Sequence, residues 1–321
     1  MSFHPPGGRG DGREATPGAL NLALTAAAIT ADLVLLVIAS RTGSWAWRIA
    51  AAVAFSFVNN TLFSLLHEAV HGHFHANRRI NEWGGRMAAA FFPTGLAFQR
   101  ICHLGHHRHN RTDAELFDYV LPGENRVVKA LQWYGILTGI YWLLPPLACL
   151  VYLVCPAFFR ASFWKPFWKD SRLARQTSAQ AMLSGFENAP EGTIRAEILF
   201  TLAMQAIITW TLGLTAAGWL TCYAAFAVNW SSLQYADHAW STRDVHDGAW
   251  NLRVHRIVQY LFLNYHHHRA HHQNPHVPWV HLPKYVDLAE ERPSFLRIYL
   301  SMWRGPRPWT DDRASDLHGL P

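Results

Sequence analysis

ALNLALTAAAITADLVLLVIASRTGSWAWRIAAAVAFSFVNNTLFSLLHEAVH (residues 19–71) contains two apolar runs, a short polar link between them, and a pair of histidines at its end. The runs, 19–39 and 46–66, each approach the roughly 20 residues that a helix needs to cross a hydrocarbon core. The link SRTGSW is too short for anything but a tight reversal, so the stretch predicts an antiparallel transmembrane hairpin. Asn59 and Asn60 fall late in the second run, where an amide is costly unless it faces protein or a site. The hairpin thus delivers HEAVH (67–71) to a membrane surface.

The whole composition agrees with a membrane protein. Of 321 residues, 50% are hydrophobic and only 16% charged, against about 25% charged in soluble domains. The formal charge of +6 has no basic-aromatic motif around it, so a nucleic-acid partner is not expected, and basic cytoplasmic loops explain the charge. The four cysteines (Cys102, Cys149, Cys155, Cys222) form no CxxC pair and read as small buried residues, not a disulfide framework. Residues 1–18, rich in Gly, Pro and charge, predict a disordered segment, and the late apolar run that leads into a second one does not read as a cleaved signal. One membrane domain over 19–300 and a tail over 301–321 are expected.

Beyond the first hairpin, residues 67–130 are polar and histidine-rich, interrupted by MAAAFFPTGLAF (87–98), which is too short to span. LQWYGILTGIYWLLPPLACLVYLVC (131–155) is long enough to cross but carries Pro145-Pro146 near its middle. A basic segment follows, with Arg160, Lys165, Lys169, Arg172, Arg175 and Arg195. The block 197–233 then reads as a second hairpin, about 197–213 and 216–234, split at Gly213–Gly218. The positive-inside rule keeps the basic segment cytoplasmic if 131–155 is a re-entrant or interfacial pair bent at the prolines. The expected fold is therefore an all-α integral membrane protein of two transmembrane hairpins, about four spans. A cytoplasmic helical cap carries the histidine blocks, and both termini lie inside.

Eighteen of the 20 histidines lie between residues 67 and 281. HEAVH spaces His67 and His71 as HxxxH, HLGHH spaces His103, His106 and His107 as HxxHH, and HRAHH repeats that spacing at His268, His271 and His272. Positions i, i+3 and i+4 share one helix face, so each block is expected to aim its imidazoles at a common point. Lone histidines such as His246, His255 and His281 read as ordinary core or surface residues. Three blocks on one membrane face read as a metal site. HEAVH is also an HExxH, which can bind one zinc with Glu68 as general base, so an intramembrane zinc protease is a competing reading. Zinc sites are almost always four-coordinate, which would leave both HxxHH blocks idle. Eight imidazoles fit two metals, and imidazole suits iron as well as zinc. A histidine-rich metal transporter would place its ligands along the spans instead of just outside them.

With HEAVH, HLGHH and HRAHH in this order, and spans before the first and between the second and third, the chain resembles the membrane fatty acid desaturase/hydroxylase superfamily from about residue 45 to 285. NPHVPWVHLP (274–283) resembles that family's proline-tryptophan ending, and QYADHAWS (234–241) places Gln234 and His238 where several members carry a further histidine. The same fragment is similar to the NYxEH block of membrane alkane hydroxylases. The resemblance implies two non-haem iron ions, O2 as co-substrate, and the ligands His67, His71, His103, His106, His107, His238, His268, His271 and His272. It implies attack on an unactivated C–H bond of a fatty acyl chain, with desaturation leading. Hydroxylation, carotenoid-type oxygenation and oxidative decarboxylation to a terminal alkene stay open.

His75 continues the i, i+4 row from His71 and is a candidate additional ligand; His73 also follows that box. His109, His266 and His267 are expected beside or outside the site. Glu68, Asp113 and Asp237 are candidates for orienting ligand imidazoles through the second ring nitrogen, and Gln234 for supporting His238. The chain shows no haem domain and no cysteine cluster, so an external ferredoxin or cytochrome-type donor is expected, with Arg78, Arg79, Arg108 and Arg111 either as its docking face or as anchors of the cytoplasmic boundary. A bacterial inner membrane with a cytoplasmic active site is the expected location.

Overall fold

The computed structural model describes residues 14–160, 162–164 and 183–309. Most of the expected disordered segment and of the C-terminal tail, together with Lys165, Lys169, Arg172 and Arg175, lies outside the described residues. The protein is an integral membrane protein and mainly helical. Helix α1 covers Gly18–Arg41 and α2 Trp45–His71. They form the expected hairpin, with Trp45 and Trp47 exposed beside the link at the height where indoles anchor to an interface. Helix α2 runs five residues past the apolar stretch. Nothing breaks it until Gly72, whose φ of 82° closes the helix in a left-handed cap.

Helices α3 (Arg78–Phe91) and α4 (Leu96–His109) divide the apolar piece 87–98 between them. The backbone that reverses between them is buried at Phe91, Phe92 and Thr94, and such backbone survives at membrane depth only if protein satisfies it. Asn59 Nδ2 and the Tyr223 hydroxyl donate to Phe91 O, Gln205 Nε2 donates to Ala90 O, and Thr201 Oγ1 donates to Thr94 O. Glu197 closes the other arm, accepting from Ala97 N at 2.6 Å while it pairs with Arg86 at 2.8 Å. Asn59 is therefore accounted for as a cap on a helix end inside the bundle.

Helix α5 (Arg126–Leu137) is followed by a 3-10 turn at Ile140–Leu143 and by α6 (Leu144–Val154), with an 88° bend between the halves. The bend is not at Pro145-Pro146, as expected, but at Gly139. Both prolines sit in the first turn of α6, where their missing N–H groups cost nothing. Gly139 has φ of 86°, and a Cβ there would lie 2.8 Å from Val228 N, so only glycine permits both the reversal and the close approach to the next helix.

Helices α7 (Glu191–Leu212) and α8 (Ala216–Ala236) make the second pair, joined through left-handed Gly213. The pair is splayed: α7 packs on α3, α4 and α6, while α8 packs on α1 and α2. Among the described residues, α1, α2 and α7 are long and apolar enough to cross a membrane, and the bent α5–α6 unit adds a fourth candidate if it counts as one span. Helix α8 has the length, at 21 residues, but carries Asn229, Ser231, Ser232 and Gln234. Of these, Asn229 donates to Ser56 of α2 at 3.0 Å, the kind of polar bond that holds helices together in lipid.

Three short helices complete the site side: α9 (Arg256–Leu261), α10 (His268–Gln273) and α11 (Phe295–Met302). The backbone of α9 docks on α2, where Thr61 and Ser64 donate to Leu261 O and Phe262 O. Arg111 does not join the expected docking face. It is 2% exposed, its Nη1 donates to both carboxylate oxygens of Asp118, and its Nη2 donates to Ser241 O. Trp240 N donates to the same carboxylate at 2.6 Å. The network fastens the loop after α4 to the loop after α8. Breaking such a buried pair by removing one partner costs about 3–5 kcal/mol. Arg78, Arg79 and Arg108 are exposed.

Candidate metal centre

The end of α2 presents His67 and His71, α4 presents His103, His106 and His107, α10 presents His268, His271 and His272, and the turn after α8 presents His238. These nine side chains form two groups. His67, His71, His103, His107 and His271 make one; His106, His238, His268 and His272 make the other. Within each group the ligand nitrogens all lie within 4.8 Å of one another.

The first box serves a common point, as its spacing predicts, since His67 and His71 both enter the group of five, but the two HxxHH boxes do not. His103 and His107, at i and i+4, enter the group of five, while His106 enters the group of four. In the third box His268 and His272 enter the group of four, while His271 crosses to the group of five. Neighbouring helix positions are about 100° apart around the axis, so the i+3 and i+4 imidazoles must diverge. HxxxH serves one group, and HxxHH connects two.

Four contacts define the spacing. The Nε2 atoms of His71 and His103 are 2.9 Å apart, those of His103 and His107 3.0 Å, those of His107 and His271 2.9 Å, and those of His268 and His272 3.2 Å. Two nitrogens that meet one ion at a right angle, each about 2.1 Å from it, lie about 3.0 Å apart. The Nε2 atoms of His67 and His238 are buried with no hydrogen-bond partner among the described residues. The donor set is thus crowded, convergent and partly unsatisfied, which is what a pair of metal ions would relieve.

The second ring nitrogens hold the rings in place. His238 Nδ1 contacts Gly248 O at 2.8 Å and His106 Nδ1 contacts Glu115 Oε2 at 2.6 Å, which leaves each Nε2 free to face its group. Burial holds His103, His238, His268, His271 and His272 well below the usual imidazole range, and takes His107 down to about 2. These rings are therefore neutral, the form that binds metal. Burial also pulls on His106, but the Glu115 and Asp237 carboxylates outweigh it and raise that ring.

Of the candidate supporting residues, Asp237 is fully buried between His268 Nδ1 (3.6 Å) and His238 Nε2 (3.8 Å), with neither oxygen hydrogen-bonded among the described residues. Burial pushes its carboxyl up to about 8. Glu68 belongs to neither group, and its Oε2 accepts from Trp279 N at 3.2 Å. Gln234 accepts from the Tyr265 hydroxyl at 3.3 Å. Asp113 pairs with Arg243 at the surface.

His75 is in neither group: its Nδ1 accepts from Asn77 N, and its ring packs against Gly18. His73 stays outside both groups as well. His266 and His267 are buried behind α10, not at the surface, and their rings lie 4.0 Å apart. Glu115 is the residue that sequence reasoning missed, since a loop position nine residues from His106 carries no periodic signal.

Beneath the histidines lies an aromatic floor. Tyr265 packs edge-on against His67 at 5.2 Å, Phe63 packs against Tyr265 at 5.7 Å and Trp230 at 5.5 Å, and Tyr141 stacks on Trp230. Phe63, Trp230 and Tyr265 are all buried, so these rings form part of the packed core next to the site.

The sequence profile of the family described as fatty acid desaturase matches residues 42–306. None of the curated proteins matches the chain.

Proposed function

The chain belongs to the fatty acid desaturase family, and from that premise we propose that it is an O2-dependent di-iron oxidoreductase that attacks an unactivated C–H bond of a fatty acyl chain, as a desaturase. Membership makes it an oxidoreductase. The observation that carries the di-iron reading is the division of nine histidines into groups of five and four with Nε2 atoms about one ligand edge apart. When bound, two irons with O2 supply the oxidising power that breaks the C–H bond, and cofactor chemistry of this kind is positioned and kept dry by protein.

The chain's own residues do the positioning. His67, His71, His103, His107 and His271 would hold one ion, and His106, His238, His268 and His272 the other. Glu115 and the Gly248 carbonyl fix two of these rings in the orientation that presents Nε2. The buried rings of Phe63, Trp230 and Tyr265 pack next to His67 and give the site an apolar, close-packed border. The engagement of Glu68 with Trp279 N argues against the zinc-protease reading, which needs that carboxylate at the metal. The site-side ends of the helices carry exposed Arg78, Arg79 and Arg108, while the opposite end has Arg41 and Arg48. This excess supports a cytoplasmic site under the positive-inside rule, and that orientation is part of the proposal. A bacterial inner membrane and an external ferredoxin or cytochrome-type donor complete the proposal.

The test is a mass profile of all lipids and hydrocarbons in cells that express the protein or its His268→Ala variant. Acyl chains two hydrogens lighter, absent with the variant, support desaturation. A gain of one oxygen would replace that reading with hydroxylation, and a new terminal alkene would replace it with decarboxylation.

A further inference from the structure

A groove of about 420 Å³ runs between α1 and α3, and none of the nine candidate ligands lines it. Leu22, Ala26 and Ile29 line it from α1, at i, i+4 and i+7. Ile80, Trp83 and Met87 line it from α3, at i, i+3 and i+7. Each helix therefore gives the groove one continuous face, and seven residues of helix make it about 10 Å long. Its floor is Phe74, which is fully buried. That floor exists because residue 84 is glycine: a Cβ there would lie 2.1 Å from the Phe74 ring. Asn21 Nδ2 donates to Phe74 O at 2.9 Å, which fastens the floor residue to α1.

The mouth has the opposite character. Arg79 lines it, Arg78 is next in sequence, and both are exposed at the first turn of α3. The other arginines of α3 and the start of α4 are neutralised, Arg86 by Glu197 and Arg100 by Glu82. Arg78 and Arg79 have no carboxylate partner among the described residues. An apolar slot at membrane depth under two unpaired cations is complementary to an acyl tail beneath an anionic headgroup. We propose that this groove binds an anionic phospholipid, with one acyl chain between α1 and α3 and the phosphate on Arg79 and Arg78. The lipid is structural, held by a site apart from the metal centre, so Arg78 and Arg79 serve the bilayer and not a protein partner.

Trp83, 58% exposed in the groove wall, is the reporter. The full-length protein is placed in vesicles of phosphatidylcholine containing either phosphatidylglycerol or further phosphatidylcholine brominated on its acyl chains. The emission lost on Trp83→Phe isolates this residue's quenching from that of the other tryptophans. A basic residue near an anionic surface is worth about 1 kcal/mol, a factor of about five. Brominated phosphatidylglycerol should thus quench Trp83 at about 25-fold lower mole fraction than brominated phosphatidylcholine. Each of Arg78→Gln and Arg79→Gln should reduce that preference roughly fivefold. Ala26→Phe, at a lipid-exposed position of the slot, should reduce quenching by either lipid without altering the yield of folded protein. Equal quenching by the two lipids in the wild type overturns the proposal. So does an unchanged preference in the arginine variants, including the case where those variants lose donor-supported turnover instead. The quenching measurements themselves do not require the metal centre to be active.

Discussion

Glu115 decides the direction in which His106 points. Its carboxylate sits 2.6 Å from His106 Nδ1 and turns Nε2 toward His238, His268 and His272. Outer partners of this kind are worth about 10–100-fold in metal affinity. Glu115→Ala should therefore weaken one of two iron-binding steps by that factor and leave the other unchanged, as read by anaerobic iron titration of purified protein. Glu115→Gln, whose amide oxygen still accepts from Nδ1–H, should recover most of the loss. If both steps weaken together, or neither does, the carboxylate is not a support for one group alone. The contrast with the boxes shows what a sequence can reveal at this scale. His103 and His107 were legible because a helix fixes the direction of i and i+4. Glu115 and the Gly248 carbonyl act from loops, where spacing says nothing about direction. The division of each HxxHH box has a related cause: i+3 and i+4 each lie near i around the helix but are about 100° from one another.

At the scale of elements, composition revealed what lipid demands and missed what geometry alone decides. The first hairpin follows from two apolar runs of spanning length and a short link, and the Gly213 reversal from a block too long for one helix. The bend in 131–155 was assigned to Pro145-Pro146 because proline breaks helix interiors, yet here the prolines begin a helix and are harmless. Gly139 makes the turn, and its role is visible only once α8 is packed against it. The two residues therefore predict opposite outcomes. Gly139→Ala forces a side chain into the left-handed region, which costs on the order of 1–3 kcal/mol for the dihedral alone, and drives a Cβ onto the Val228 backbone. Pro145→Ala should change stability by less than about 0.5 kcal/mol. Thermal unfolding in detergent compares them directly, and a larger loss for Pro145→Ala would place the bend back at the prolines. The buried break between α3 and α4 is likewise invisible in composition. A 12-residue apolar piece is too short to span, but Asn59, Gln205, Thr201, Glu197 and Tyr223 supply the hydrogen bonds that let it turn back inside the bundle.

Taken as a whole, the molecule gathers its nine histidines from four separate places in the chain, so the site is also a fastening. Helix α2 gives the group of five two rings, α4 gives two and α10 gives one; α4, α10 and the turn after α8 supply the group of four. Each ion would thus tie together three segments that otherwise meet through short helices and loops. The helix α10, only six residues long, has little of its own to hold it. A ligand that binds only the folded state stabilises it by RT ln(1 + [L]/Kd), about 2.7 kcal/mol at a hundredfold excess over Kd. Removing metal with a chelator should lower the unfolding temperature in detergent, and ferrous iron should restore it with an end point of two ions per chain. The loss should be local first: amide exchange should rise in 264–279 and at 103–110 before it rises in α1, α2 or α8, because the spans keep their own packing. His271→Ala should mimic half the effect, since it removes the one ring that α10 contributes to the group of five. If chelation strips the metal and neither the melting temperature nor exchange in 264–279 changes, the site is held by the fold alone and the fastening argument fails.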